Sequence, residues 1–284
     1  MTGCPWIKNQ LFDKMFELSS NEISFLLYIA RYQNEQGEVV GVYYKDVCEN
    51  IYISIQTFYT VLHSLKEKGI ITYTKNHYTD YDIKIVDNDF SGRNAKSSYI
   101  IVTNRLFKMP EFHALKAGEK LLAIYIYRYY TTNKTTYQIQ QGKFIDKWTK
   151  LLRVSSRVIK GYLYRLKRAL LISEGVKNNK YYLTPLRHTL EKIKDSADRK
   201  YCHGEIVEAL CRRKRIHNYR QAEIEDITVL IDQYAARAKQ NGKGIVDCIS
   251  RAIDKAVNYY NLNGRERILE PKLVHSLLRA VITE

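Results

Sequence analysis

The sequence predicts a mainly helical chain, with two repeated units of three helices and a β-hairpin each, followed by an all-helical C-terminal part. The evidence is an internal repeat, capping and apolar patterns at fixed places within that repeat, and a globular composition. Of the 284 residues, 45% are hydrophobic and 27% are charged, with only 4 Pro and 13 Gly. This composition excludes a disordered, collagen-like or fibrous chain.

Apolar runs and cysteines indicate the compartment. The longest apolar runs are far shorter than the roughly 20 residues of a membrane span, and residues 1–5 lack the charged and then apolar layout of a signal peptide. The 5 Cys residues are an odd number with no Cys-x-x-Cys pair, which is typical of a reducing compartment. We therefore expect a soluble, cytoplasmic protein that does not contact a membrane.

The internal repeat joins two pairs of segments in the same order. Residues 18–32 align with residues 115–129, at an offset of 97, and six of the fifteen residues are identical. Residues 52–71 align with residues 153–172 at an offset of 101, so the second copy has a longer connecting loop. We call residues 17–105 the first unit and residues 114–185 the second unit. Two matched segments with nearly the same spacing indicate a duplicated fold.

Helix signals define the elements of the first unit. A capping box, Ser19-x-x-Glu22, begins a helix. Ser54 caps a later helix whose apolar residues recur three and four apart, and Gly69 ends it. The other expected elements are a β-prone run at Val39–Val42, a short helix at Tyr44–Asn50, a strand at Ile70–Thr74 and its hairpin partner at Tyr99–Thr103.

The second unit repeats this pattern. Helices are expected at Ala117–Tyr130 and Lys143–Leu151, and Ser155 is expected to cap a third. The inward face of this third helix is expected to comprise Ile159, Tyr162, Leu163 and Leu166. A hairpin follows around residues 177–180, where Asn178 and Asn179 tolerate the left-handed turn conformation.

These segments carry a resemblance to a known family. Leu152–Leu166 resembles the turn and recognition helix of winged helix-turn-helix DNA-binding domains, and Leu62–Ile71 resembles the junction between such a helix and its wing. The resemblance covers both units. It implies two tandem winged helix-turn-helix domains (three helices plus a β-hairpin wing each), at residues 1–105 and 106–199, before a C-terminal all-α domain at residues 200–284.

The layout is similar to that of plasmid replication initiators and of some transcriptional regulators. A winged helix followed by a helical domain is also similar to primosomal proteins of the DnaD type. The resemblance therefore implies a DNA-binding role but leaves the biological process open.

Positive charge is concentrated in the second domain. The chain has 46 Lys and Arg against 30 Asp and Glu, a net charge of +16. Residues 1–105 carry 11 against 12, or −1, residues 106–199 carry 20 against 7, or +13, and residues 200–284 carry 15 against 11, or +4. Because a duplex presents one phosphate charge per roughly 1.7 Å of its axis, this concentration favours double-stranded DNA as the partner.

The third helix of the second unit is the expected recognition helix. Its N-terminal half would enter a major groove, and Arg157 is the best candidate for a base contact because Arg can bridge guanine O6 and N7. The DNA-binding candidates here are Ser155, Ser156, Arg157, Lys160, Tyr164 and Lys167. The candidate phosphate clamps are Lys147, Lys150 and Arg153, and the candidate wing-tip contacts are Lys177 and Lys180.

The first unit gives a weaker DNA signal. Gln56, Thr57 and Thr60 occupy the matching outward positions, and amide and hydroxyl groups can read bases. Its wing connection, residues 75–98, is predicted to be long and contains four Asp residues, which phosphate would repel. An auxiliary DNA reader, a dimer or partner surface, and a scaffold all remain open for this unit.

The C-terminal part is expected to be all helical. Expected features are a connecting helix from Pro185 through Ile193, a polar break at Asp195–Arg199, and helices near Glu205–Arg215, Ala222–Gln240, Gly244–Asn261 and Pro271–Ile282. Domains of this kind often mediate oligomerisation, and a homodimer is therefore one hypothesis for this chain. The basic run Arg212–Arg215 is interpreted either as a nonspecific DNA contact or as a solvated helix end.

No catalytic, cofactor or metal motif stands out. Gly242-Lys243-Gly244 lacks the Ser or Thr that follows Lys in a P-loop, and the spacing of Cys202, Cys211 and the nearby His residues matches no standard zinc pattern. We expect no enzyme activity, no cofactor and no metal, and leave any small-molecule effector open. The leading expectation is a sequence-specific duplex DNA-binding transcriptional regulator. The alternatives are a plasmid or phage replication initiator or primosome-type protein, and a protein-interaction scaffold without DNA binding.

Overall fold

A computed structural model describes residues 4–76, 80–91, 98–190 and 195–284. These residues are mainly helical, with small antiparallel sheets. The helices are α1 (Asn9–Lys14), α2 (Ser20–Ala30), α3 (Tyr44–Ile51), α4 (Ile55–Glu67), α5 (Asn104–Lys108), α6 (Pro110–His113), α7 (Ala117–Asn133), α8 (Gln141–Leu152), α9 (Ser156–Arg168), α10 (Arg187–Leu190), α11 (Asp195–Arg213), α12 (Gln221–Gln240), α13 (Ile245–Leu262) and α14 (Pro271–Thr283). The strands are β1 (Trp6–Lys8), β2 (Glu38–Tyr43), β3 (Ile71–Asn76), β4 (Asp80–Ile85), β5 (Tyr99–Ile101), β6 (Tyr137–Gln140), β7 (Ile172–Lys177) and β8 (Lys180–Pro185).

The two units share one order of elements and one sheet topology. In each unit a long helix is followed by a strand, two helices and two further strands. The order in the sheet that these strands form is β2-β4-β3 in the first unit and β6-β8-β7 in the second, so the third of the three strands lies in the middle of each sheet. The internal repeat read from the sequence is therefore a repeat of structure.

A buried carboxylate joins the first and third helices of each unit. In the first unit Glu22 closes the predicted capping box with Ser19 and also accepts hydrogen bonds from Ser64 at 2.6 Å and Lys68 at 2.8 Å. In the second unit Glu119 accepts from the backbone of Lys116 at the start of α7. Glu119 also pairs with Arg165 of α9, with Nε and Oε1 at 2.6 Å. The shared Glu of the repeat thus fixes where the third helix lies.

The strand pairing predicted for the hairpin of the first unit is wrong. Strand β3 pairs with β4, at Asp80–Ile85, over six residue pairs. Tyr99–Ile101 instead pairs with Trp6–Lys8, where the rings of Trp6 and Tyr99 stack at 5.0 Å between centroids. The long wing connection expected at residues 75–98 therefore contains a strand, and its residues 77–79 and 92–97 lie outside the described residues.

The hairpin of the second unit is confirmed. Strands β7 and β8 pair from Ile172 opposite Pro185 to Lys177 opposite Lys180. Asn178 and Asn179 form the turn with positive φ angles of 49° and 56°, as a two-residue turn of this hand requires.

Apolar packing forms two clusters. One runs from Ile7 to Leu183 and includes buried residues of both units, and the other joins α11 to α14. The predicted polar break at Asp195–Arg199 is wrong because these residues begin α11. Residues 191–194, which include part of the predicted connecting helix, lie outside the described residues. No helix among those described is long and apolar enough to cross a membrane.

A fully buried lysine lies between the two units. The Lys120 ammonium on α7 donates to the Ser20 and Ser24 hydroxyls of α2, each at 2.7 Å, and its side chain is not exposed to solvent. Ser24 also contacts His113 Nδ1 at 3.3 Å. Burial lowers the pKa of Lys120 to about 7, because desolvation penalises the charged form.

This burial predicts a pH-dependent stability. Between pH 7 and about 10.5 the unfolded chain holds a proton on Lys120 that the folded chain has released. The contribution of this group to stability is therefore most favourable above about pH 10.5 and is lost progressively as the pH falls from there to about 7. We expect Lys120→Met to be more stable than wild type at pH 6.5, and we expect this difference in stability to be smaller at pH 9.5. Melting temperatures across this range measure the difference, and a constant difference would contradict the assignment.

Candidate nucleic-acid interface

The second unit presents its third helix with one side to the core and one side to solvent. α9 buries Ile159, Tyr162, Leu163 and Leu166, as its apolar spacing predicts. Its other side exposes the candidates Ser156, Arg157, Lys160, Tyr164 and Lys167. Tyr164 is 61% exposed, which is high for a large ring on a packed helix and leaves it able to contact a partner.

Cations without an anionic partner surround this helix. Nine Lys and Arg side chains of α8, α9, the turn between them and the β7–β8 hairpin are exposed, and within the described residues none of the nine forms an ion pair. They are Lys143, Lys150, Arg153, Arg157, Lys160, Lys167, Arg168, Lys177 and Lys180. Residues 141–185 contain only two carboxylates, Asp146 and Glu174. The positive charge of the second unit is thus largely uncompensated at this surface.

The two ends of α9 have different surroundings. Ser155 takes the N-cap position, but its side chain makes no capping hydrogen bond, so its exposed hydroxyl is not used by the helix. Arg153 precedes it in a left-handed conformation, with φ at 52°. Near the C-terminal end Arg165 is held by Glu119. Most of the candidate side chains that make no hydrogen bond or ion pair within the described residues therefore lie in the N-terminal half of α9.

One predicted phosphate clamp is engaged inside the unit. Lys147 donates to the Tyr125 hydroxyl at 2.6 Å and lies 4.0 Å from the centre of that ring. Its side chain is half-buried. Lys150, one turn later on α8, is exposed and makes no such contact, so it is the better placed of the two for phosphate.

The matching candidates of the first unit are partly engaged by their own helix. Thr57 lies 2.9 Å from the hydroxyl of the capping residue Ser54, and Thr60 donates to the Gln56 carbonyl at 3.0 Å. The Gln56 side chain is exposed at the start of α4. Of these three candidates, Gln56 is thus the one whose side chain makes no hydrogen bond within the described residues.

The β-hairpins of the two units differ in charge at equivalent positions. The central strand of the three-stranded sheet begins with Asp80 in the first unit and with Lys180 in the second. Asp80 faces Tyr43 across the sheet, and Lys180 faces Gln140, so the two positions match in register. Lys180 is exposed, whereas Asp80 is fully buried.

Asp80 is buried because the C-terminal helix α11 packs on this sheet. Arg213 of α11 forms ion pairs with both Asp80 and Asp82, and its side chain is only 11% exposed. The sequence gives little indication of this contact because the partners lie more than 130 residues apart. The carboxylates that would repel phosphate are instead neutralised within the chain.

Further contacts extend this docking. Arg212 lies 3.4 Å from Asp46 and over the ring of Tyr43 at 4.4 Å. A Cβ at Gly41 of β2 would clash with the Ala209 side chain of α11, so this glycine permits the close approach of helix and strand. The basic run Arg212–Arg215 is therefore not simply a solvated helix end, since its first two residues bind the first unit.

Burial in this interface also affects a carboxyl group. Desolvation raises the pKa of Asp46 to about 6, against the opposing effect of Arg212. Nearby carboxylates, Glu205 and Glu208, contribute in the same direction as desolvation. The first unit thus binds α11 through its carboxylates, whereas the second unit presents exposed cations to solvent.

Within the described ranges, no group of three or more His, Cys, Asp and Glu side chains is placed to hold a metal ion. Comparison of the chain with protein-family models, with curated proteins and with solved structures finds no match.

Proposed function

We propose that this protein binds double-stranded DNA sequence-specifically through its second unit, and that its two units are tandem winged helix-turn-helix domains. The observation that carries the proposal is a set of nine exposed cations on α8, α9, the turn between them and the β7–β8 hairpin, none of which forms an ion pair within the described residues. A duplex releases counterions when such cations replace them at its phosphates, which favours binding.

The order of elements supports the assignment of parts. α8 and α9 are joined by a short turn with a left-handed residue, Arg153, and a two-strand hairpin follows α9 directly. In this arrangement α9 is the recognition helix, α8 lies across the backbone, and the hairpin is the wing. Lys177 and Lys180 flank the hairpin turn, where they would reach the phosphate backbone.

The first unit has a different proposed role. Its sheet is occupied by α11 through Asp80, Asp82 and Arg213, so its wing is committed within the chain. We assign it to positioning the C-terminal helices. Gln56 remains its one candidate for an auxiliary base contact.

Selection of bound sequences from a random duplex pool tests the proposal. The full chain should enrich one sequence, with an affinity that falls steeply as salt rises. Enriched sites repeated at a replication origin would indicate an initiator, and a palindrome at a promoter would indicate a transcriptional regulator. An absence of salt-sensitive duplex binding would refute the proposal and favour the scaffold alternative.

Arg157→Ala tests base reading. We expect it to cost on the order of 1–3 kcal/mol on the selected site and to relax specificity at one base pair, because a bidentate guanine contact is lost. Affinity measured against all single-base variants of the site gives both quantities. An equal loss on every variant would instead make Arg157 a phosphate contact.

A further inference from the structure

Gly161 lies at the centre of the solvent face of α9. With 3.6 residues per turn it points almost directly away from the buried Ile159, Leu163 and Leu166. Glycine is unfavourable in a helix interior, because the unfolded chain gains conformational freedom that folding must remove. Its presence here needs a reason.

Packing within the protein does not supply that reason. Apart from its chain neighbours and its own helix backbone, no heavy atom lies within 4 Å of a Cβ built at Gly161. The contrast is Gly118 of α7, where a Cβ would meet the Tyr162 ring at 2.6 Å. Gly118 is required by its neighbours, whereas the space above Gly161 is open. A helix glycine with open space suits close approach by a ligand.

Apolar groups border this space on two sides. Val158 and the ring of Tyr164, three residues before and after Gly161, are 36% and 61% exposed and flank it on the helix surface. Arg157 and Arg165 lie one turn before and after Gly161, and Arg165 is engaged in its ion pair with α7. We call Val158, Gly161 and Tyr164 the apolar notch. It interrupts a face that is otherwise cationic.

The chemistry of the notch selects among the groups that a major groove presents. A phosphate oxygen or a polar base edge would lose hydrogen bonds against this apolar floor. The C5-methyl group of thymine is the apolar group in the major groove, and small apolar protein surfaces recognise it. We propose that the apolar notch accepts a thymine methyl group, an inference that rests on the proposed DNA binding by the second unit.

Uracil in place of thymine provides the direct test, since it removes only the methyl group. Each thymine of the selected duplex is replaced in turn by deoxyuridine, and the affinity of the full chain is measured. At one position the affinity of wild type should fall about fourfold, the value of one buried methyl group. Uniform affinity across all replacements would overturn the proposal.

Gly161→Ala should reverse this preference. The alanine methyl fills the notch, so the thymine duplex should bind more weakly, and the uracil duplex at the same position should bind at least as well as the thymine duplex. The variant should also melt about 1–3 °C higher, because alanine favours the helix. Higher stability together with weaker binding separates a DNA contact from a folding defect.

Gly142→Ala is the matched control. Gly142 lies on α8, and a Cβ there also has no heavy atom within 4 Å. The control should keep the wild-type affinity and the wild-type uracil effect. If wild type binds its duplex and Gly161→Ala binds the thymine duplex equally well, the notch assignment is wrong and the proposed function stands. If wild type binds no duplex, the proposed function itself is wrong.

Discussion

Asp80→Ala is expected to destabilise the protein by about 3–5 kcal/mol, because it leaves the buried Arg213 guanidinium short of a partner. Among the described residues Arg213 would keep one carboxylate partner, Asp82, whose side chain is 34% exposed. Denaturation by urea, followed by circular dichroism, measures the loss. Asp80→Leu combined with Arg213→Met should recover much of it, since replacing both ends of a buried ion pair by apolar side chains is often neutral.

An exposed ion pair that also involves the first unit provides the control. Asp87 binds Lys14 at 2.6 Å, with both side chains more than 40% exposed. Lys14→Ala should cost less than about 1 kcal/mol, because water already solvates both charges. A loss for Asp80→Ala no larger than that for Lys14→Ala would show that α11 does not dock on the first unit in solution.

Charge reversal at Lys150 and Lys180 is expected to weaken binding to every duplex alike. Each residue is an exposed cation without an ion-pair partner among the described residues, and each lost phosphate contact lowers the salt slope by about 0.9. Lys150→Glu with Lys180→Glu should therefore reduce the slope by about 2 and the affinity roughly a hundredfold at 0.1 M salt. Lys147 is a poorer choice because its side chain also packs on Tyr125.

The control makes the same change of charge in the first unit. Lys45 and Lys75 are also exposed, and Lys45→Glu with Lys75→Glu alters the net charge of the protein equally. We expect only a small loss of affinity and an unchanged salt slope. Binding of the unmodified and altered proteins at several salt concentrations gives both values. Equal effects from the two pairs would refute the division of roles between the units.

The sequence predicts the elements that local signals define. The capping box at Ser19 and Glu22, the apolar spacing of α9 and the Asn178-Asn179 turn each depend on residues a few positions apart. For this reason the helices of both units and the second hairpin are where the patterns predict them. The exposure of the α9 candidates follows from the same periodicity.

Strand β4 carried a signal that the charge pattern obscured. Tyr81, Ile83 and Ile85 alternate with polar residues, and this period of two is typical of a half-buried strand. Because the segment is also acidic, its charge pattern instead indicates a loop that DNA phosphates would repel. The pairing of Tyr99–Ile101 with Trp6–Lys8 has no local signal, because the two strands are about 90 residues apart.

The long-range polar contacts could not be predicted from spacing. The pairing of Arg213 with Asp80 and Asp82, the burial of Lys120 between two serines, and the contact of Lys147 with a tyrosine all depend on how elements pack. The surplus of charge predicted which unit is cationic. Packing determined which of its cations are exposed.

Photocrosslinking tests the central claim, that the second unit provides the principal contact with DNA. Tyr164 of α9 and His63 of α4 occupy equivalent positions in the repeat, and both are exposed. With p-benzoylphenylalanine incorporated at one position or the other in the full chain, irradiation with the selected duplex should crosslink far more from position 164 than from position 63. Equal crosslinking from the two positions, or stronger crosslinking from position 63, would contradict the account.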